Sequence, residues 1–155
     1  AMAVLGEGHW AVALRRRDMA SPATDCWIDV VTTRDAGLTW SKPEMVGTTG
    51  HHNGNPPGLV TTGNGVLCCV YGERNSRRML ARYKVACGGE GWSDPVVLRD
   101  DFPTRGGMAD LGYPRLMLRR ADGRLVAVYY WASTAIRQQH IAATIWNPPS
   151  PSSLA

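Results

Sequence analysis

The chain has 155 residues, which is enough for one ordinary hydrophobic core, and no apolar stretch reaches the length of a membrane span. Its 17 basic and 13 acidic side chains give a net charge of +4, and the arginines are spread over predicted strand ends, which argues against nucleic-acid binding. The composition includes 17 Gly, 10 Pro, 6 Trp and 5 Tyr beside 1 Phe, and it favours an all-β chain with many turns.

Residues 10–14 (WAVAL) predict an early strand, and residues 33–40 (TRDAGLTW) then predict a tight turn between two strands. In this turn Asp35 can accept hydrogen bonds from nearby backbone, and Gly37 can adopt positive φ without a Cβ clash. Thr33 can add its hydroxyl to the same network, and Trp40 can fold back as an apolar cover. The octapeptide matches the pattern known as the Asp-box.

A repeat of about fifty residues organises the chain, because WSKP at residues 40–43 returns as WSDP at residues 92–95. The strand, Gly turn and strand of residues 57–71 likewise return at residues 114–129. The box of the second unit lacks its Asp, and the third unit ends in a strong strand at residues 138–146 without a box.

Each unit is therefore predicted to contain four antiparallel strands, which is the plan of a β-propeller blade. We expect about three blades, at roughly 1–50, 51–99 and 107–146, so that residues 1–146 form a partial propeller. Residues 147–155 are rich in Pro and Ser, and we expect them to form a flexible tail.

Three blades alone would leave two open faces, since propellers usually close with about four to eight blades. We therefore expect a fragment or processed piece, the C-terminal half of a longer propeller, or a ring completed by another chain such as a second copy. Residues 2–4 are too short an apolar run for a signal peptide, and the sequence does not indicate a compartment.

The cysteines predict buried free thiols and no zinc site, because no pair has C-x-x-C spacing. Cys68 and Cys69 are adjacent in a predicted strand, so their side chains should point to opposite faces. His51 and His52 lie in a predicted loop, and we interpret them as loop polarity and not as metal ligands. No metal and no other cofactor is expected.

The ordered set of the box, YGER at residues 71–74 and GYP at residues 112–114 closely resembles the sialidase (neuraminidase) superfamily of BNR-repeat propellers. The resemblance covers about residues 5–146 and corresponds to the C-terminal portion of the family's domain. It implies a six-bladed propeller with a site at its axis, which cleaves a terminal sialic-acid-like or other anionic sugar from a glycan.

In that family three arginines clamp the substrate carboxylate, and a tyrosine activated by a glutamate attacks the sugar. The resemblance places Tyr113 at the nucleophile and Arg15 at the second clamp arginine. The third clamp arginine falls at Arg77 or Arg78, and we favour Arg78 because it opens a predicted strand. The resemblance also makes Arg74 and Asp110 candidates for substrate binding.

The first clamp arginine, the general-acid aspartate and the activating glutamate have no counterpart here, since Glu7 is too close to Arg15 for the last role. Pro114 stands where many sialidases have Ser, and it restricts the backbone beside Tyr113. We therefore expect this chain alone to be inactive as a retaining hydrolase with a tyrosine nucleophile.

Plainer interpretations stay open for these residues. Arg74 and Arg78 can pair with Glu73 or Glu90 at the surface, and Tyr113 can pack under a turn. Trp131, at a strand end, is a candidate for stacking on a sugar, and His140 fits a structural role. The alternative functions are a non-catalytic carbohydrate-binding or scaffold propeller and a protein-interaction propeller.

Overall fold

The structure is a computed structural model, and it describes residues 1–87, 89, 91–104 and 109–154. Within these residues the chain is all-β, as the composition predicts, with three antiparallel sheets and a single 3-10 turn at Pro151–Ser153. The expected start of the third unit at residue 107 lies outside the described residues, as do two positions of the degenerate box at 86–92. In the described part of the chain no helix is long and apolar enough to cross a membrane.

The strands follow one another through the sheets in chain order. Sheet 1 contains β1 (Met2–Gly6), β2 (His9–Arg17), β3 (Asp25–Thr33) and β4 (Glu44–His51). Sheet 2 contains β5 (Gly58–Thr61), β6 (Val66–Glu73), β7 (Arg78–Val85) and β8 (Val96–Arg99). Sheet 3 contains β9 (Gly112–Leu118), β10 (Leu125–Trp131) and β11 (His140–Trp146). Among the described residues it therefore has three strands and not the four predicted for each unit, because no box turn leads on to a short fourth strand.

The sheets are stacked face to face, and sheet 2 lies in the middle because β6 is buried on both sides. Cys68 packs in the core shared with sheet 3, whereas Cys69 packs in the core shared with sheet 1. This confirms that the two thiols point to opposite faces, as the alternation of side chains along a strand requires. Two separate cores therefore lie on the opposite faces of sheet 2.

The first strands of the three sheets are neighbours, since β5 contacts β1 on one side and β9 on the other. Since successive strands are antiparallel, one edge of the stack collects the ends of β2, β6 and β10 with the starts of β5, β7 and β9. We call this edge the site rim. The opposite edge, which carries the turn at residues 33–40, is the box rim.

The predicted turn at the box rim has the expected hydrogen bonds. Thr33 Oγ1 donates to Asp35 Oδ1 over 2.7 Å, and the Thr39 N–H donates to the same oxygen over 2.9 Å. Gly37 has φ +93°, and a Cβ there would meet the rings of Trp10 and Trp40. The Thr39 hydroxyl also donates to Asp35 Oδ2. This bond is the largest cause, followed by the others, of a pKa of about 2 for Asp35, below its ordinary 3.8.

Apolar side chains are exposed on both ends of the stack. The outer face of sheet 3 carries Met117, Ile141 and Ile145, of which Ile141 is 74% exposed. The outer face of sheet 1 carries Met2, Val4 and Met45, each more than half exposed. Large apolar side chains grouped on one exposed face often mark a surface that another protein element covers.

One residue of the C-terminal segment, for which the sequence predicts a flexible tail, packs against the body of the protein. Leu154 packs on the core between sheets 2 and 3, just after the 3-10 turn. The backbone N–H of Leu154 also donates to the Pro151 carbonyl.

Candidate functional site

All five predicted site residues lie on the site rim, because each stands at or beside a strand end there. These residues are Arg15, Arg74, Arg78, Asp110 and Tyr113. A series of contacts joins Arg74, Asp110 and Tyr113. Arg15 lies beside the loop between β4 and β5, which also contacts Arg74. Arg78 does not share these contacts.

Arg74 is the most enclosed of the predicted arginines, with a side chain 9% exposed. Its Nη2 lies 3.7 Å from Asp110 Oδ1 and 3.5 Å from Asn55 Oδ1. The Asp110 carboxylate balances part of the guanidinium charge, so a buried cation is tolerated here. The pair joins the end of β6 to the segment before β9.

Two further side chains hold Asp110 in place. Tyr130 donates its hydroxyl to Oδ1, and Gln139 Nε2 donates to Oδ2 over 2.9 Å. These bonds lower the pKa of Asp110, with Gln139 as the largest cause. Burial, followed by the bond to Asp110, raises the pKa of Tyr130 to about 12. Tyr130 is therefore a neutral donor and not an activated phenolate.

Tyr113 stacks on Tyr130 with ring centroids 5.6 Å apart and an interplanar angle of 29°. It is 50% exposed and has φ +52°, an uncommon backbone conformation for a residue with a Cβ. Its hydroxyl makes no hydrogen bond with another described residue. The rim therefore presents an exposed aromatic ring, and its phenol has no base among the residues that the structure describes.

Arg15 is exposed, and its Nη1 donates to the Gly54 carbonyl over 3.2 Å. Gly54 directly precedes Asn55, and Asn55 in turn contacts Arg74.

Arg78 is exposed at the start of β7, and no ion pair links it to another described residue. The Glu73 carboxylate accepts the N–H groups of the turn after β6. Glu90, the other partner suggested for Arg74 and Arg78, lies outside the described residues.

Sequence reasoning missed Tyr130 and Gln139. Strand alternation could have placed Tyr130 on the same face as Val126 and Val128. Its register partner in the structure is Gly112, which directly precedes Tyr113. Gln139 lies just before β11, and nothing in the sequence links it to Asp110. The suggestion that Trp131 stacks on a sugar is wrong, because Trp131 is fully buried and its Nε1 donates to Asp101.

Two histidines of the site rim contact polar groups of the chain itself. His51 Nδ1 lies 2.7 Å from Asp25 Oδ1, and His140 Nδ1 lies 3.0 Å from the Gln138 carbonyl. No group of three or more His, Cys, Asp or Glu side chains that could hold a metal occurs among the described residues.

A cleft of about 360 Å³ opens at the box rim between sheets 1 and 2, and Arg34, Glu44, Lys84 and Trp92 are among the residues that line it. Lys84 pairs with Glu44 over 2.5 Å. None of the five predicted site residues lines this cleft.

No family model matches the chain, and no curated protein matches it significantly. A crystal structure of a protein of unknown function from Dyadobacter fermentans DSM 18053 is similar to it with a TM-score of 0.38 and 18% sequence identity. That similarity covers 90% of this chain and 50% of the other, so the chain spans about half the length of that protein. A similarity of this size supports no argument about fold or function.

Proposed function

We propose that this chain binds a glycan at the site rim, and that its three sheets are consecutive blades of a β-propeller. The adjacency of β1, β5 and β9 supports the propeller, because the first strands of successive blades line the axis of such a fold. The apolar outer faces of sheets 1 and 3 support it as well, since further blades would cover them.

The stacked pair of Tyr113 and Tyr130 is the observation that carries the proposed binding. An exposed aromatic ring can lie against the C–H face of a sugar, while nearby polar groups bond its hydroxyls. Asp110 and Gln139 stand beside this ring and are already fixed by their mutual hydrogen bond. A ligand would therefore meet groups whose geometry is set in advance, which lowers the entropy cost of binding.

Arginines beside the aromatic pair favour a sugar that carries a carboxylate. Arg74 is held at the rim by Asp110 and Asn55, and Arg15 is exposed on the neighbouring strand end. A guanidinium can bond a carboxylate with two parallel N–H groups. A sialic-acid-like sugar is therefore our first choice of ligand.

Calorimetric titration of the chain with N-acetylneuraminic acid, glucuronic acid and galactose tests this proposal. We expect saturable binding that favours the acidic sugars, and a loss of roughly tenfold or more in affinity for Tyr113→Ala. Leu38→Ala is the control, because Leu38 is 86% exposed on the opposite rim. Absence of binding to all three sugars, or an equal loss in both variants, would overturn the proposal.

The second candidate function is sialidase-like hydrolysis of a terminal anionic sugar. The hydrogen bond between Tyr130 and Asp110 favours it, because the Asp110 carboxylate could take the proton of the neutral phenol as its oxygen attacked a sugar. Tyr113 is the tyrosine that the resemblance implicates, but it has no described carboxylate partner. The remaining groups would come from further blades.

A fluorogenic sialoside separates binding from hydrolysis. We expect this chain to bind the compound without releasing its dye. Release that is lost in Tyr113→Phe but kept in Tyr130→Phe would establish hydrolysis with Tyr113 as nucleophile. The opposite pattern would assign that role to Tyr130.

A further inference from the structure

Asn55 is a fully buried polar residue in the segment between β4 and β5. Its Nδ2 donates to the Gly72 carbonyl over 3.3 Å, and its Oδ1 accepts from Arg74 Nη2 over 3.5 Å. Removing a buried amide leaves its partners unsatisfied, which costs more than the bond itself contributes. Both ends of the amide therefore have defined partners near the end of β6.

Two glycines leave the space that this amide fills. A Cβ at Gly112 would lie 2.5 Å from Asn55 Oδ1, and a Cβ at Gly72 would lie 3.0 Å from Nδ2. Gly112 also has φ +117°, which residues with a Cβ rarely adopt. The amide of Asn55 is thus enclosed between β6 of sheet 2 and the first residue of β9 in sheet 3.

This position couples the two parts of the candidate site. On one side Asn55 bonds the Arg74 guanidinium, and on the other it contacts the backbone of Gly112, which directly precedes Tyr113. Moving the amide would shift the cation and the aromatic ring relative to each other. Because it is fully buried, Asn55 does not touch a ligand itself.

We propose that Asn55 is the positioning residue of the site rim, and that it sets the distance between the Arg74 guanidinium and the Tyr113 ring to suit an anionic sugar. The proposal rests on the proposed glycan binding for its ligand, but its structural part can be measured without one. It predicts that Asn55 matters most for recognition of the sugar's carboxylate.

The test compares the affinity for N-acetylneuraminic acid with that for its neutral methyl ester. The ratio of these affinities isolates the carboxylate, so a general loss of structure would lower both affinities and leave the ratio unchanged. In Asn55→Ser we expect the ratio to fall roughly tenfold, as loss of a hydrogen bond to a charged group implies. Asn53→Ser is the matched control, since Asn53 is exposed in the same loop.

A second variant and a second measurement keep the test decisive if Asn55→Ser does not fold. Asn55→Asp preserves the side-chain shape but removes the donor to Gly72, and its charge would draw Arg74 away from a ligand. We also expect the NMR signal of the Arg74 Nε–H group to move in both Asn55 variants and to stay in Asn53→Ser.

The outcomes separate this inference from the proposed function. If the wild-type chain binds neither sugar, the proposed glycan binding is wrong. A moved Arg74 signal in the Asn55 variants would still support positioning by Asn55. Folded Asn55 variants with an unmoved Arg74 signal, or with a ratio within about twofold of wild type, would overturn the positioning role.

Discussion

The phenol oxygen of Tyr71 occupies the space in which a side chain at position 47 would lie, so Gly47 in β4 and Tyr71 in β6 meet directly between sheets 1 and 2. Tyr71 is almost fully buried, and burial is the largest cause of its raised pKa. The two sheets can approach this closely only because position 47 has no Cβ.

Gly47→Ala should therefore destabilise the protein by about 1–3 kcal/mol, the usual cost of an overpacked core. Urea unfolding measures this loss. The double variant Gly47→Ala with Tyr71→Phe should recover part of it, because the oxygen that clashes is gone while the ring remains. Strictly additive effects of the two substitutions would contradict a direct contact.

Asp35→Asn should lower the free energy of unfolding at neutral pH, because an amide cannot accept all the bonds that the carboxylate takes in the turn. The folded-state pKa of Asp35 is depressed from 3.8 to about 2, so its contribution is fully present above 3.8. That contribution is lost as the pH falls through about 2.

Urea titrations of wild type and Asp35→Asn at several acidic pH values check this pH dependence. The gap between the two proteins should close toward pH 2. Asp94→Asn is the control, since Asp94 is exposed and its carboxylate bonds no other described residue. A gap that stays constant with pH would show that the carboxylate charge of Asp35 does not stabilise the turn.

Only one thiol should react in the native protein. The prediction of buried free thiols holds for three cysteines and is wrong for Cys87, which is exposed. Burial raises the pKa of Cys69 to about 12 and that of Cys68 in the same direction, so neither forms the reactive thiolate. Titration with a chromogenic disulfide should give one equivalent per chain before unfolding and four after it. Cys87→Ser should remove the first equivalent, and rapid reaction of a second thiol would contradict the buried positions.

The exposed outer faces of sheets 1 and 3 should make the isolated chain self-associate. Ile141→Lys should weaken this association about ten- to hundredfold, because burying one Ile is worth roughly 1.5–3 kcal/mol. Sedimentation velocity over a range of concentrations measures it. Leu38→Lys, at a still more exposed position on the box rim, should leave the association unchanged. A wild-type chain that stays monomeric throughout would contradict the prediction.

Local features of this fold could be predicted from the sequence, and long-range features could not. The turn at residues 33–40 was predictable because Thr33, Asp35 and Thr39 bond one another within a few residues. The alternation of Cys68 and Cys69 followed from strand geometry in the same way.

The features that could not be predicted depend on contacts between segments that are far apart in the sequence. Asn55 contacts Gly112 from a different sheet, and no spacing rule links those positions. Trp131 was expected at an accessible strand end, but it is on the inward face and Phe102 packs on its ring at 5.2 Å. The candidate site depends on such contacts, so some of its members could be proposed in advance, whereas Gln139 and the arrangement of the site could not.

The burial of β6 on both faces has a consequence for how the protein unfolds. Its odd and even positions belong to different cores, so a shift of one residue along the strand would exchange the two sets at once. Neither interface can loosen at β6 without disturbing the other. We therefore expect the three sheets to melt in a single cooperative transition, with the amide hydrogens of β6 among the last to exchange.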